Sequence, residues 1–210
     1  MKKIINILGD ITSQPKLKTD ISLSMVMAEV EGLNKGDQIE VNINSYGGEV
    51  FEAVAIRHIL TNSPASESFN ILGLCASAAN LLINESAPVD IAKGAMVMNH
   101  WAQGGAQGDA REHRRVANLL AKIDKEILLT TLNIRSSKSI EELSMLLNDE
   151  WWLSSDEAIQ ILGYRDAGVA AIENKAETRQ IGVYKNYMER KKALSMNAYS
   201  IFINHKNNLK

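Results

Sequence analysis

The sequence predicts an α/β fold built on a mainly parallel sheet. Short β-type apolar runs alternate with helical stripes along most of the chain. Glycine or small-residue clusters close two of the strands, and capping boxes mark two later helices. Lys3–Leu8 reads as the first strand. Ile21, Met25, Val26, Val30 and Leu33 lie at helical spacing within residues 20–33. Gly36-Asp37 is a turn signal, after which Ile39, Val41 and Ile43 alternate with Glu40 and Asn42 as a strand. That strand runs into Asn44-Ser45-Tyr46-Gly47-Gly48, and residues 49–61 return to helical spacing. Residues 69–74 read as a buried strand followed by Cys75-Ala76-Ser77-Ala78-Ala79 and a short helix through Leu81–Ile83. Val89–Ala92 and Ala95–Asn99 are short strands separated by Lys93-Gly94. The longest helix is expected over residues 109–133, on a stripe of Val116, Leu119, Leu120, Ile123, Ile127 and Leu128. Ser139-x-x-Glu142 and Ser154-x-x-Glu157 fit capping boxes, with Gly163 ending the second helix.

Length and composition narrow the function. A chain of 210 residues is one domain, or one plus a tail, and can bury a core without metal or disulfide staples. The expected division is a folded domain over 1–172 and a charge-rich helical extension and tail over 173–210. A formal charge of -2 gives no basic excess that would favour nucleic acid. The single cysteine, Cys75, permits no internal disulfide and suits a reducing cytoplasm. No apolar run approaches the ~20 residues needed to span a bilayer, and the first ten residues are too weakly apolar for a signal peptide. No Cys/His cluster suggests a metal, and no cofactor is expected.

The two strand-to-helix junctions carry the candidate chemistry, because open α/β sheets place their sites at the carboxyl ends of strands. Small residues around Ser77 allow a tight turn, and backbone N–H groups at a helix start can hold a developing oxyanion. Ser77 is therefore a candidate nucleophile, against the ordinary alternative of a helix N-cap. His100, at the end of the strand 95–99, is the candidate base; a structural histidine is the alternative. Gly104-Gly105-Ala106-Gln107-Gly108 follows it and could line a cleft. Asp149 and Glu150 are candidate orienting acids, or merely favourable charges before a helix. Gly47-Gly48 lacks the lysine and hydroxyl of a phosphate loop. Trp151-Trp152 reads as packing, and Cys75 as a small buried apolar residue.

Taken in order, these segments resemble the proteolytic subunit of the Clp (caseinolytic) serine proteases. Ile43-Asn44-Ser45-Tyr46-Gly47-Gly48 is similar to the family's I-N-S-P-G-G, with Tyr46 in place of proline. Gly73-Leu74-Cys75-Ala76-Ser77-Ala78-Ala79 is similar to G-x-A-A-S-M-G, and Met98 to Gly108 to M-I-H-Q-P-L-G-G-x-Q-G. Trp152-Leu153-Ser154-Ser155-Asp156-Glu157-Ala158 resembles F-L-S-A-x-E-A. The match runs from about Ile5 to Val169.

The resemblance implies a ClpP/crotonase-like α/β fold of repeated ββα units and a serine endopeptidase. Ser77 falls on the nucleophile, His100 on the base and Glu150 on the acid, with Asp149 one residue away. It further implies an oxyanion hole from the Gly47 and Ala78 amides, and a substrate cleft along Gly48, Gly104 and Gly105. Heptameric rings, stacked face to face through the region of helix 109–133, would enclose the sites around a protein or peptide substrate. The chain starts almost at its first strand, so the family's axial loop toward an AAA+ unfoldase is expected to be reduced. That feature, the glutamate and the long tail resemble the phage and prophage head-maturation branch. The alternatives are an ATP-dependent Clp subunit, a crotonase-like acyl-CoA enzyme, or an inactive ring subunit.

Overall fold

The computed structural model describes residues 1–168. The expected boundary at 172/173, the charged helix and the tail lie outside the described residues. Strand β1 (Lys2–Ile7) pairs in parallel with β2 (Gln38–Ser45), and β2 with the long β3 (Ser66–Ala76). The strict alternation of β2 comes from its sequence: Ile39, Val41, Ile43 and Ser45 are all buried. Beyond that point β3 serves two neighbours. Its first part, Phe69–Ile71, pairs with β4 (Val89–Ile91), and its end, Leu74–Ala76, with β5 (Met96–Asn99). All these ladders are parallel, as expected from the βαβ pattern. Two further strands were not foreseen in the sequence. The strand β6 (Trp151–Ser154) runs antiparallel to β5, and the two-residue β7 (Arg165–Asp166) extends β4 in parallel.

Helices α1 (Leu23–Val30), α2 (Val50–Thr61) and the one-turn α3 (Ala78–Leu81) follow strands or strand-end loops. The first is shorter than the stripe over 20–33 implies. Asp20 accepts the Lys16 and Leu17 amides at 2.9 Å each, which holds that stretch as a loop, and Ser22 caps the helix by accepting the Met25 amide. Gly32, at φ 76°, lies just beyond the helix end.

The long helix expected over 109–133 is present but not uniform. α4 (Ala110–Ile123) opens on Asp109, whose carboxylate accepts the Arg111 and Glu112 amides. It passes into a π-helical stretch, Asp124–Leu129, before α5 (Thr130–Ser136). The Thr130 hydroxyl donates to the Lys125 carbonyl, five residues back, within this widened turn. Both capping boxes form as read: Ser139 with Glu142 opens α6 (Ile140–Leu147), and Ser154 with Glu157 opens α7 (Ser155–Leu162). Gly163 takes the left-handed conformation after α7. Among the described residues the core is one apolar cluster, from Ile5 and Ile7 through Val41, Ile56, Phe69 and Leu82 to Leu143 and Leu153. Among the described residues no helix is long and apolar enough to cross a membrane, and no three metal-ligating side chains cluster.

Candidate active site

The site grows from the point where β3 ends. Ser77 follows that strand at φ 54°, ψ -128°, a conformation that non-glycine residues seldom hold. It makes no side-chain cap to α3, so the ordinary N-cap reading fails here. Its amide instead donates to the Met98 carbonyl at 2.9 Å, tying the turn to β5. His100 stands one residue past the end of β5, and its Nε2 lies 2.8 Å from Ser77 Oγ. That is hydrogen-bond contact between a strained serine and an imidazole, the relationship a base-activated nucleophile requires. His58 and His113 are exposed on α2 and α4.

A buried asparagine holds the two halves together. Asn80 Nδ2 donates to the Cys75 carbonyl at 3.0 Å and to the Met98 carbonyl at 2.8 Å. One amide thus grips the backbone before the serine and the backbone before the histidine. The Cys75 thiol donates to Asn80 Oδ1 at 3.3 Å. Full burial pushes that thiol up to about 12, so it is inert packing, as the sequence suggests. The sequence reading passed over Asn80. The available signal was a polar residue inside the apolar turn Ala78-Ala79-Asn80-Leu81.

The glycine pair approaches from β2. Gly47 sits at φ 96°, and a Cβ there would lie 2.7 Å from both the Ala76 carbonyl oxygen and the Ala78 nitrogen. Only glycine permits this approach to the serine turn. A Cβ on Gly48 would lie 2.1 Å from the Ile11 carbonyl oxygen. The Gly47 amide, expected to face an oxyanion, has a partner within the chain. That N–H donates to Ser45 Oγ at 3.0 Å, because the Ser45 hydroxyl is turned back onto the chain while donating to the Gly9 carbonyl. The bridge to Ile11 uses the Gly47 carbonyl and the Glu49 amide, which leaves the Gly48 amide outside the ladder.

The candidate acids enter through the strand the sequence reading missed. The β5–β6 register pairs Met98 with Trp152 and Asn99 with Trp151. Glu150 and His100 each stand one residue beyond that last pair. Glu150 is half-buried, has φ 59° and accepts the Trp152 indole N–H at 3.4 Å. Asp149 is exposed. Trp101 donates its indole N–H to Asn148 Oδ1 at 2.9 Å, linking the residue after His100 to the turn before Glu150. Gly104 and Gly105 lie exposed in the irregular segment between β5 and α4; a Cβ on Gly104 would meet Leu120, and one on Gly105 would meet open space.

Residues 1–163 match the family described as Clp protease. The chain belongs to the Clp protease family. It is similar to curated Clp subunits at low identity. One relative is the ATP-dependent Clp protease proteolytic subunit of Bacteroides fragilis, 27% identical over 144 residues, covering 65% of this chain and 67% of that protein. The subunit of Porphyromonas gingivalis is 24% identical over 151 residues, covering 67% of this chain and 65% of the relative. Subunit 1 of Salinibacter ruber is 26% identical over 131 residues, covering 61% and 56%. The chain therefore spans about two thirds or less of the length of these relatives. The parallel sheet with its antiparallel β5–β6 ladder agrees with a Clp protease domain.

Proposed function

We propose that this Clp-family chain is a serine endopeptidase whose nucleophile is Ser77, with His100 as general base and Glu150 as the acid that orients it. The observation that carries the reading is the 2.8 Å contact between Ser77 Oγ and His100 Nε2. The hydroxyl attacks the peptide carbonyl carbon while Nε2 takes its proton. The same proton passes to the leaving amine as the acyl-enzyme forms, and water then repeats the sequence. Its place one residue before the Asn99–Trp151 pair, half-buried, supports Glu150 over the exposed Asp149. The oxyanion donors are assigned to the amides of Gly48 and Ala78, since the Gly47 amide is engaged by Ser45. Gly104 and Gly105 edge the substrate cleft.

The assembly proposed is a homo-oligomeric ring, heptameric or stacked. Phe51 on α2, Leu119 on α4, and Ile4 and Leu8 at β1 are exposed apolar side chains that a neighbouring subunit would cover in such a ring. The glutamate in place of the family's aspartate supports a processing peptidase of the phage or prophage type acting in the cytoplasm. The relatives' names favour as directly a subunit fed by an ATP-dependent unfoldase.

A fluorophosphonate probe tests the chemistry. It should label Ser77 in the wild-type protein and leave folded Ser77→Ala unlabelled; equal labelling of the variant excludes this serine. Light scattering tests the ring, which a mass near the chain's 23.2 kDa would exclude. Casein hydrolysis with and without an unfoldase and ATP separates the two delivery modes: strong stimulation selects the ATP-dependent subunit.

A further inference from the structure

We propose that Asp124 is a positioning residue for His100, holding the segment just after the base by accepting the Ala102 amide. The proposal rests on the Ser77–His100 reading. Asp124 Oδ1 lies 2.7 Å from the Ala102 nitrogen, a short, charge-assisted hydrogen bond. Ala102 is two residues past His100, where the chain has left β5 and runs to α4 without regular structure. Exposed Gly104 and Gly105 follow after Gln103 in the same irregular segment. The Trp101 indole bond to Asn148 anchors one side of this stretch and the Asp124 carboxylate the next residue.

The helix is shaped at this point. Asp124 is the first residue of the π-helical stretch, and the widened turn resets the register of the side chains after α4. Partial burial raises the Asp124 carboxyl above its ordinary value, opposed by the Ala102 amide and by the charge of His100. The carboxylate thus sits within electrostatic reach of the base and bears a desolvation cost there, which the bond to the loop offsets only in part. A proline at residue 102, as in the motif this segment resembles, would have no N–H to offer. The tether depends on Ala102.

The test measures the rate of fluorophosphonate labelling at Ser77 together with hydrogen exchange at the Ala102 amide. Asp124→Ala should slow labelling by about 10- to 100-fold, the scale expected when a catalytic group is misplaced by about 1 Å. Its Ala102 amide should exchange faster. Asp124→Asn keeps an oxygen acceptor without the charge and should label within about threefold of wild type, a recovery that general destabilisation would not give. If Asp124→Ala fails to fold, Asp124→Glu keeps the charge but displaces the acceptor by a methylene, and must slow labelling as well. Wild-type labelling rates in Asp124→Ala or Asp124→Glu overturn the proposal. So does Asp124→Asn as slow as Asp124→Ala, which would put the effect in the charge. Absence of Ser77 labelling in the wild type would instead remove the active-site reading itself, and this proposal with it.

Discussion

Asn99 pairs with Trp151 across the antiparallel β5–β6 ladder. This single register links the strand that leads to His100 to the turn that carries both candidate acids. One step further stands Glu150, with Asp149 a residue beyond and exposed. On the proposed role of Glu150, Glu150→Gln is expected to lower kcat far more than Asp149→Asn, because Glu150 is half-buried next to the ladder while Asp149 is exposed. Loss of an orienting acid costs on the order of 10⁴-fold in serine proteases. Steady-state hydrolysis of a fluorogenic peptide decides the order, and the reverse ranking would move the role to Asp149.

Asn80 offers a separate handle on the site. Replacing it with leucine keeps the bulk but leaves the Cys75 carbonyl without the Asn80 donor and removes one from the Met98 carbonyl. Each buried group that loses its partner costs about 1–3 kcal/mol, so Asn80→Leu should lower unfolding stability by a few kcal/mol. It should also slow Ser77 labelling, since the same amide ties the serine turn to β5. Urea unfolding and labelling rates measured on one preparation check both effects; stability loss with unchanged labelling would confine Asn80 to packing.

Asn99 presents the opposite case. It is 1% exposed, and among the described residues neither side-chain polar atom has a hydrogen-bond partner. A buried amide in that state is destabilising, whereas an apolar side chain of similar size is not. Asn99→Leu should therefore raise the unfolding free energy by about 1–3 kcal/mol, on the scale of the desolvation it relieves. Denaturant midpoints that fall instead would reveal a partner for this amide.

Stability should decline at alkaline pH. Burial pushes the Cys75 thiol from 9.0 to about 12 and the Tyr164 hydroxyl from 10.0 to about 12. Both are acids held neutral by the fold, so the folded state keeps protons that the unfolded chain releases. Unfolding is then favoured as pH rises through 9 toward 12, by up to about 1.4 kcal/mol per pH unit for each such group. Urea midpoints between pH 8 and pH 11 should fall, and Cys75→Ala should flatten the first part of the decline. A flat wild-type profile across that range would contradict the burial argument.

The elements with strong local signals were legible in the sequence. Alternation in Ile39–Ile43 specified β2, and the two Ser-x-x-Glu boxes specified the starts of α6 and α7, because each interaction closes within a few residues. The small residues around Ser77 and the strand before His100 located the candidate nucleophile and base for the same reason. Tertiary structure alone decided what depends on partners far apart in the chain. Trp151–Ser154 is a strand because β5 offers it an antiparallel edge, while its own four residues are too short to carry a period. The Gly47 amide turns to Ser45 because Gly9 fixes the Ser45 hydroxyl, and Asp124 finds Ala102 only once the helix is packed. Hydrophobic periodicity specifies which face of an element is buried, but the direction of a single hydrogen bond is set by the neighbours that folding brings to it.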